Sequence, residues 1–546
     1  MRRPRMVTIC VAAAAATTAC ARGQPAPAGV EATTEVRSER WPALGIEVQE
    51  LVLGNGFRIV VVEDHRVPRV AASLWYRVGA LQENLGEHGS THFLEHVIHQ
   101  GTTTIGVRDP VRDRQLLEEI HEAEQALLAE RNAQRNLVRE RRIFFDEAEW
   151  PTTDTMDRLR QRLYELEDLQ SANRIFWQEY NWYRQHGGLM RHTDPVPANT
   201  GNELMRIEVD LPKNRLEMYF RLEADRMVNA ILRGFEAQRY TVLEQFLNFN
   251  RTETGRFQEA LNGASGVLHP IYLHPGGHMR DHDYWSRAGV LRMYDAYIVP
   301  NNAILTLVGA VTVDEVRLLA EEYFGRVPRA PEPPAGMDFA AEPPPGGAVR
   351  FDWLEPLDPR VVVRHRIPGV GHPDRPAFDV IARLLSGPDG LLATEQRASG
   401  APPASWGASA SRTGSPSRLS MQAGAARDED LPALEEVALR AVERLRRSDV
   451  AEESLARAKR ELRFQWEQIR SHRGDLASLV GDFFVGDDWR TLRTFFEARQ
   501  GTTVEEIRRV AERYLVPWNR VVGTTRRSPP SPARDNLVST PGAAGR

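Results

Sequence analysis

The chain has 546 residues, an apolar share of 41% and a formal net charge of -5. Such a length exceeds what one hydrophobic core serves, so two or more domains are expected, and so mild a charge excludes nucleic acid as a partner. Both cysteines, Cys10 and Cys20, fall at the extreme N-terminus, which excludes disulfide and thiolate chemistry from the body of the protein.

In chain order, Met1-Arg-Arg-Pro-Arg5 is basic and Met6 to Ala16 is apolar, ending in small residues. That charge order and length describe a secretory signal, too short for a membrane-spanning helix. Thr18-Ala19-Cys20 resembles the end of a bacterial lipoprotein processing box, with Cys20 as the acylated residue, although Thr17 stands where Leu is usual. Simple cleavage and release is the alternative. Residues 1–20 are therefore read as a signal segment and 21–45 as a flexible tether. The implied location is the bacterial cell envelope, in the periplasm, with a lipid anchor on the outer membrane as the one membrane attachment.

Strand-like runs follow at Phe57 to Glu63 and Val70 to Arg77, then at Ile207 to Leu211, Ala303 to Val308 and Val361 to His365. They alternate with amphipathic stretches at Arg215 to Ala230, Val313 to Phe324, Pro373 to Leu385, Glu429 to Leu445 and Glu452 to Ile469. Tyr297-Ile-Val-Pro-Asn-Asn302 and Tyr514-Leu-Val-Pro-Trp-Asn519 each run into an apolar strand, and Val70 to Gly79 and Val361 to Gly369 each close a strand on glycine. These are the marks of a tandem duplication. The predicted fold is α+β: two homologous α/β sandwich halves, 46–327 and 349–526, joined by a Pro-rich linker at 328–348 and followed by a disordered tail at 527–546.

The first half is longer than the second by roughly 70 residues. The excess falls at about 108–188, where Leu116, Leu117, Ile120, Leu127, Leu128, Leu159, Leu163 and Leu166 keep helical spacing. A helical hairpin or short coiled coil is expected there, broken near Trp150-Pro151. It is either a solvated decoration or an arm that docks a partner.

The chemistry concentrates at His92-Phe-Leu-Glu95-His96, an inverted H-x-x-E-H signature. On a helix, positions i, i+3 and i+4 share one face. Two neutral imidazoles suit Zn²⁺, one ion per chain, and Glu95 is placed to take a proton from a metal-bound water. Two histidines leave the metal short of donors. Glu244, after the apolar pair Val242-Leu243, is the best acidic candidate for the third ligand.

The chain resembles the M16 (pitrilysin/insulinase-like) metallopeptidases, especially the bacterial and mitochondrial-processing type, over roughly residues 50 to 525. The resemblance is carried by Leu53-Gly-Asn-Gly-Phe-Arg-Ile-Val-Val-Val-Glu63, Tyr76 to Glu83, Gly89 to Thr102, Val209-Asp-Leu-Pro212, Leu222 to Met227, Val242-Leu-Glu244 and Tyr297 to Asn302. It implies a zinc endopeptidase whose halves close on a chamber that admits unstructured peptide, with His92, His96 and Glu244 on zinc and Glu95 as base. In that family the distal glutamate follows the second histidine by about 75 residues; here it follows by about 148, and the excess matches the insertion. Ala198, Asn199 and Thr200 match the edge strand that aligns substrate, but Pro197 before them cannot donate to a β-ladder.

Two further departures stand out. Family members that are active alone carry an arginine and a tyrosine in the second half; here Leu391 takes the arginine position, no tyrosine follows, and Arg397 is the one nearby substitute. The resemblance then implies a zinc subunit that a homologous partner completes with that Arg/Tyr pair. His99 replaces a usual phenylalanine and is read as a packing or outer-shell residue. The rival readings are a non-proteolytic zinc-binding or peptide-binding envelope scaffold, and an adaptor acting through its helical arm.

Overall fold

A computed structural model describes residues 34–527 except 85, 104, 141–152, 176–179, 191–197, 267–273, 275, 278, 283–284, 334–346, 356, 413, 415–416 and 487. The signal segment with Cys20, Pro197, Trp150-Pro151, most of the Pro-rich linker and the tail beyond Arg527 lie outside the described residues.

The first half contains β1 (Glu35–Trp41), β2 (Ile46–Val52), β3 (Arg58–Glu63), β4 (Arg69–Tyr76), α1 (Ser90–Ile98), α2 (Pro110–Arg139), α3 (Asp154–Ala172), α4 (Tyr180–Gln185), β5 (Leu189–Met190), β6 (Ala198–Thr200) and β7 (Met205–Pro212). It continues with α5 (Leu216–Asn229), α6 (Phe235–Arg251), α7 (Glu253–Gly263), α8 (Met279–His282), α9 (Arg287–Tyr297), β8 (Ala303–Gly309) and α10 (Val313–Tyr323). The second half contains β9 (Val349–Leu354), β10 (Arg360–Ile367), α11 (Arg375–Leu385), α12 (Leu391–Ser399), β11 (Trp406–Ala410), β12 (Ser417–Gly424), α13 (Leu431–Arg446), α14 (Glu452–Ser471), α15 (Arg473–Gly486), α16 (Thr491–Gly501), α17 (Val504–Tyr514) and β13 (Arg520–Arg526).

The two sheets show the duplication directly. The first runs β1-β2-β3-β8-β4-β7-β5, with β6 also on β7; the second runs β11-β12-β10-β13-β9. Read from the other end, β9-β13-β10-β12 repeats β3-β8-β4-β7. The parallel pair falls at the same place in each, β3 with β8 and β9 with β13. The turns before β8 and β13 repeat their hydrogen bonds as well. Asn302 Nδ2 donates to Tyr297 O at 2.9 Å and Arg77 O at 3.2 Å, while Asn519 Nδ2 donates to Tyr514 O and Arg366 O, both at 2.7 Å.

Each sheet buries one face under its own helices, following the alternation of apolar residues along the strands. Val70, Ala72, Leu74 and Tyr76 of β4 pack with Phe93, Leu94, Val97 and Ile98 of α1. The opposite faces are covered crosswise. α15 of the second half lies on the first sheet, its Leu476, Leu479, Val480 and Phe483 joining Ala71, Trp75, Ile304 and Val308. α7 of the first half lies on the second sheet, where Phe257 and Leu261 meet Val362 and Val521. The halves thus hold each other by one exchanged helix apiece.

The expected tether at 21–45 ends earlier than the composition implied. Residues 35–41 form β1, paired along its whole length with β2. Five of its seven side chains are exposed, which hides it from a hydropathy reading, but Trp41 is 1% exposed and stacks on Trp489.

The insertion is a helical hairpin, α2 against α3, sharing Leu116, Ile120, Ala123, Leu127, Met156, Leu163 and Leu166. The start of α3 is tied to α2 by Thr153 Oγ1 donating to Glu130 Oε1 at 2.9 Å, and the base of the hairpin is marked by Arg108 N donating to Asn173 O at 2.9 Å. It therefore closes at Asn173, earlier than the expected boundary near 188; α4 and β5 beyond it return to the sheet, with β5 paired to β7.

Candidate metal centre

α1 presents the motif because its first turn is fixed from outside the helix. Glu83, 2% exposed, accepts from Gly89 N at 2.9 Å and Thr91 N at 2.8 Å, so a carboxylate satisfies two N–H groups at the helix start. Gly89 has φ +88° and lies so close to Gly276 and Gly277 that a Cβ would stand 2.6 Å from Gly276 O. Only glycine fits there.

The α1 stripe toward the sheet is apolar; the other carries His92 and His96, whose ring centroids are 5.0 Å apart at 77°. Nδ1 of His96 lies 3.1 Å from Gln238 Oε1 of α6. An amide oxygen only accepts, so this bond places the proton on Nδ1 and leaves Nε2 with its lone pair outward. Nδ1 of His92 is buried without a hydrogen-bond partner. Burial, then His96, His274 and His282, pulls the His92 imidazole down to about 3, so it is neutral at physiological pH. One imidazole with its Nδ1 tied to an amide oxygen and one neutral imidazole with an orphaned nitrogen fit a divalent metal.

Glu95 is 4% exposed and accepts from Thr200 Oγ1 at 2.8 Å. Burial pushes its carboxyl above the ordinary carboxylate range, opposed by His96 and by the Thr200 hydroxyl. Thr200 closes β6, which pairs with β7 through Ala198↔Ile207, Asn199↔Arg206 and Thr200↔Met205. The expected substrate-aligning residues Ala198, Asn199 and Thr200 therefore form an edge beside the motif, and no strand covers their other side among the described residues.

Glu244 is not brought to the imidazoles. Among the described residues no three His, Cys, Asp or Glu side chains are grouped so as to hold a metal ion. The reason is helical phase. α6 buries Phe235, Gln238, Val242 and Phe246, and at about 100° per residue Glu244 stands roughly 200° from Val242. Its side chain is half-buried on the flank; two turns beyond Gln238 on the facing stripe comes Gln245. Of the apolar pair before Glu244, Val242 lies on the packed face while Leu243 is half-buried beside it, and the acid that follows lies off that face.

His99 is a packing residue: it is 2% exposed and its Nδ1 bonds Glu95 O at 2.7 Å, back along its own helix. In the second half Leu391 and Leu392 are buried at the start of α12, and Arg397 turns to Pro388 O at 2.8 Å. Sequence reasoning missed Glu83 and the loop histidines around His92. His274 accepts from Gly276 N at 3.0 Å and His282 Nε2 donates to Gly276 O at 2.8 Å. An isolated His-Pro-Gly-Gly-His run has no periodicity to mark it; its one signal was the density of histidine and glycine.

A sheet carrying this inverted motif, repeated as a second half that lacks it, is what the family comparisons match. The model described as Insulinase (Peptidase family M16) matches residues 58–126, and that described as Peptidase M16 inactive domain matches 284–462. The chain belongs to the M16 peptidase family. It is 22% identical over 331 residues to the zinc protease PqqE of Helicobacter pylori, covering 58% of this chain and 73% of that protein. Its fold is similar to a protease from Helicobacter pylori, with a TM-score of 0.66 at 18% identity over 90% of this chain and 100% of the other. A putative M16-like peptidase from Alicyclobacillus acidocaldarius gives 0.62 at 16%, covering 91% of this chain and 100% of that one. The periplasmic protease PqqL of Escherichia coli gives 0.62 at 14%, over 90% of this chain and 48% of that one. The two-half α+β M16 fold predicted from the sequence is thereby established.

Proposed function

We propose that this M16 chain is a zinc-dependent endopeptidase of the bacterial cell envelope that cuts unstructured peptide segments. His92 and His96 hold the metal and Glu95 is the general base. The observation that carries this is the placement of Glu95 and both imidazoles on one face of α1, beside the open edge of β6. A bound zinc would polarise the scissile carbonyl and acidify a water.

The chain's own residues supply the rest. A peptide adds to the edge at Ala198–Thr200 through backbone hydrogen bonds, which selects extended segments. The raised Glu95 carboxylate takes a proton from the attacking water and returns it to the leaving amine, and the Thr200 hydroxyl holds its Oε2 in place. Glu244 is the acid proposed to complete the metal shell, which requires its side chain to swing from the flank of α6.

Leu391 stands where the arginine of an Arg/Tyr pair was sought, so a homologous partner subunit is proposed to supply that pair. Resemblance to a periplasmic protease and the N-terminal signal pattern support an envelope location, with Cys20 as the proposed lipid anchor. No helix among the described residues is long and apolar enough to cross a membrane.

The test is cleavage of an unstructured peptide by the purified chain, alone and with a homologue carrying the Arg/Tyr pair, alongside zinc content. E244Q should lose zinc if Glu244 is a ligand. A second reading, a zinc-binding scaffold without proteolysis, is favoured by the ungrouped third donor and the match to an inactive-domain model. Turnover that stays absent with the partner present would establish it.

A further inference from the structure

The α2–α3 hairpin is tied to the segment that leads into α6. From α2, Asp113 meets Arg233, whose Nη2 lies 2.8 Å from Oδ2, with the two side chains 4% and 0% exposed. Glu124, also on α2, clamps Arg287 Nε at 3.1 and 3.0 Å and Nη2 at 2.9 Å; Arg287 Nη1 then donates to Leu232 O at 2.6 Å. From α3, Glu167 accepts from Glu236 N at 2.8 Å and Ala237 N at 3.3 Å, in the first turn of α6.

That segment needs support. Leu232 has φ +52° and Gly234 φ +60°. A leucine in the left-handed region is strained and persists where its surroundings over-determine it. Three acidic groups of the hairpin supply those surroundings.

Two routes lead from there to His96. Gln238 follows directly on the capped turn and bonds His96 Nδ1 at 3.1 Å. Arg233 donates to Gln100 O at 3.2 Å and Thr102 O at 2.7 Å, while Gln100 Nε2 donates to His96 O at 3.0 Å. Ring and backbone of one histidine are thus both held by groups that the hairpin holds.

We infer that the helical insertion is a brace for the metal centre, with Glu167 and Asp113 acting as positioning residues that orient His96 through Gln238 and Gln100. The functional meaning rests on the metal-site reading above; the mechanical claim stands without it. It gives the insertion an inward role that neither sequence expectation, a solvated decoration or a partner-docking arm, contained.

The test uses the full-length, metal-free chain and hydrogen–deuterium exchange of wild type, E167A, E167Q and E119A. Burial pushes the Glu167 carboxyl up to about 7, so measurements are made at about pH 8, where it is ionised and accepts both N–H groups. E167A is expected to speed exchange about tenfold both in the first turn of α6 and across residues 96–102. E167Q, which keeps one acceptor, should fall between, and it carries the comparison if E167A does not fold. E119A, on the exposed side of the hairpin, should match wild type. Faster exchange confined to α6, or no change, overturns the brace. Zinc titration against a chromophoric chelator should show E167A about tenfold weaker than wild type, as loss of outer-shell support does at metal sites. Unchanged affinity in E167A would overturn the positioning role. A wild type that binds no zinc would sink the metal reading, with exchange still deciding the brace.

Discussion

Glu95 lies under three constraints at once: a buried position that raises its proton affinity, a hydroxyl from β6 that fixes one oxygen, and an imidazole one residue on that favours its charge. A general base is served by that balance, since its affinity for protons must approach that of the water it activates. E95Q is therefore expected to lower peptide turnover by about 100-fold or more, with zinc content unchanged by metal analysis. His365 is a second residue with a measurable consequence. It is 1% exposed with neither ring nitrogen hydrogen-bonded, and burial, then Arg520, pulls it down to about 3. The folded state resists its protonation while the unfolded chain accepts it near 6.5, so its contribution to stability is complete above that value and lost as pH falls toward 3. Urea unfolding should show H365L losing about 2 kcal/mol less than wild type between pH 7 and 5. At this scale the sequence disclosed His92, Glu95 and His96 because i, i+3 and i+4 leave no doubt about a shared helix face. It named Glu244 without its phase, because membership of a helix does not specify where around the axis a side chain stands, and it gave Glu83 no role because the cap crosses a turn rather than following helical spacing.

The helices exchanged between halves carry the structure's mechanics. α15 rests on the first sheet at Gly481, where an added Cβ would run into the Trp75 indole, a side chain with no exposure and its Nε1 bonded to Ser73 Oγ. The ring cannot step aside, so G481V should cost about 3 kcal/mol in urea unfolding, at the upper end for overpacking, whereas G474A at the open start of the same helix should be neutral or stabilise by up to about 1 kcal/mol. Strands and helices with clean periodicity, such as β4, α10 and α13, were legible to within two or three residues. The exchange was not, because a sequence shows that a helix has an apolar face and not which sheet will take it. β1 was missed for a related reason: its stability comes from pairing with β2, while its own side chains read as linker.

Across the whole molecule, the two halves are one design used twice with unequal contents. The first keeps the histidine pair; at the matching helix of the second, α11 is buried along almost its full length, has no histidine, and carries apolar packing with the Arg375–Asp379 pair. The duplication was readable from the repeated Tyr-x-Val-Pro-x-Asn turn, and the structure shows why that turn persists: each asparagine ties its turn to the sheet by the same two bonds. Because the second half offers Leu391 and a locally engaged Arg397, the chain alone is expected to cut peptides at under about one-tenth of its rate with a complementing homologue. Equal rates with and without that partner would show that the chain holds all it needs.

Zinc analysis of the dialysed full-length chain decides whether His92 and His96 together bind one divalent cation. One equivalent of zinc in wild type, retained in E95Q and lost in both H92A and H96A, is the predicted result. Wild type that returns no zinc, or an H96A variant that keeps it, would contradict the account.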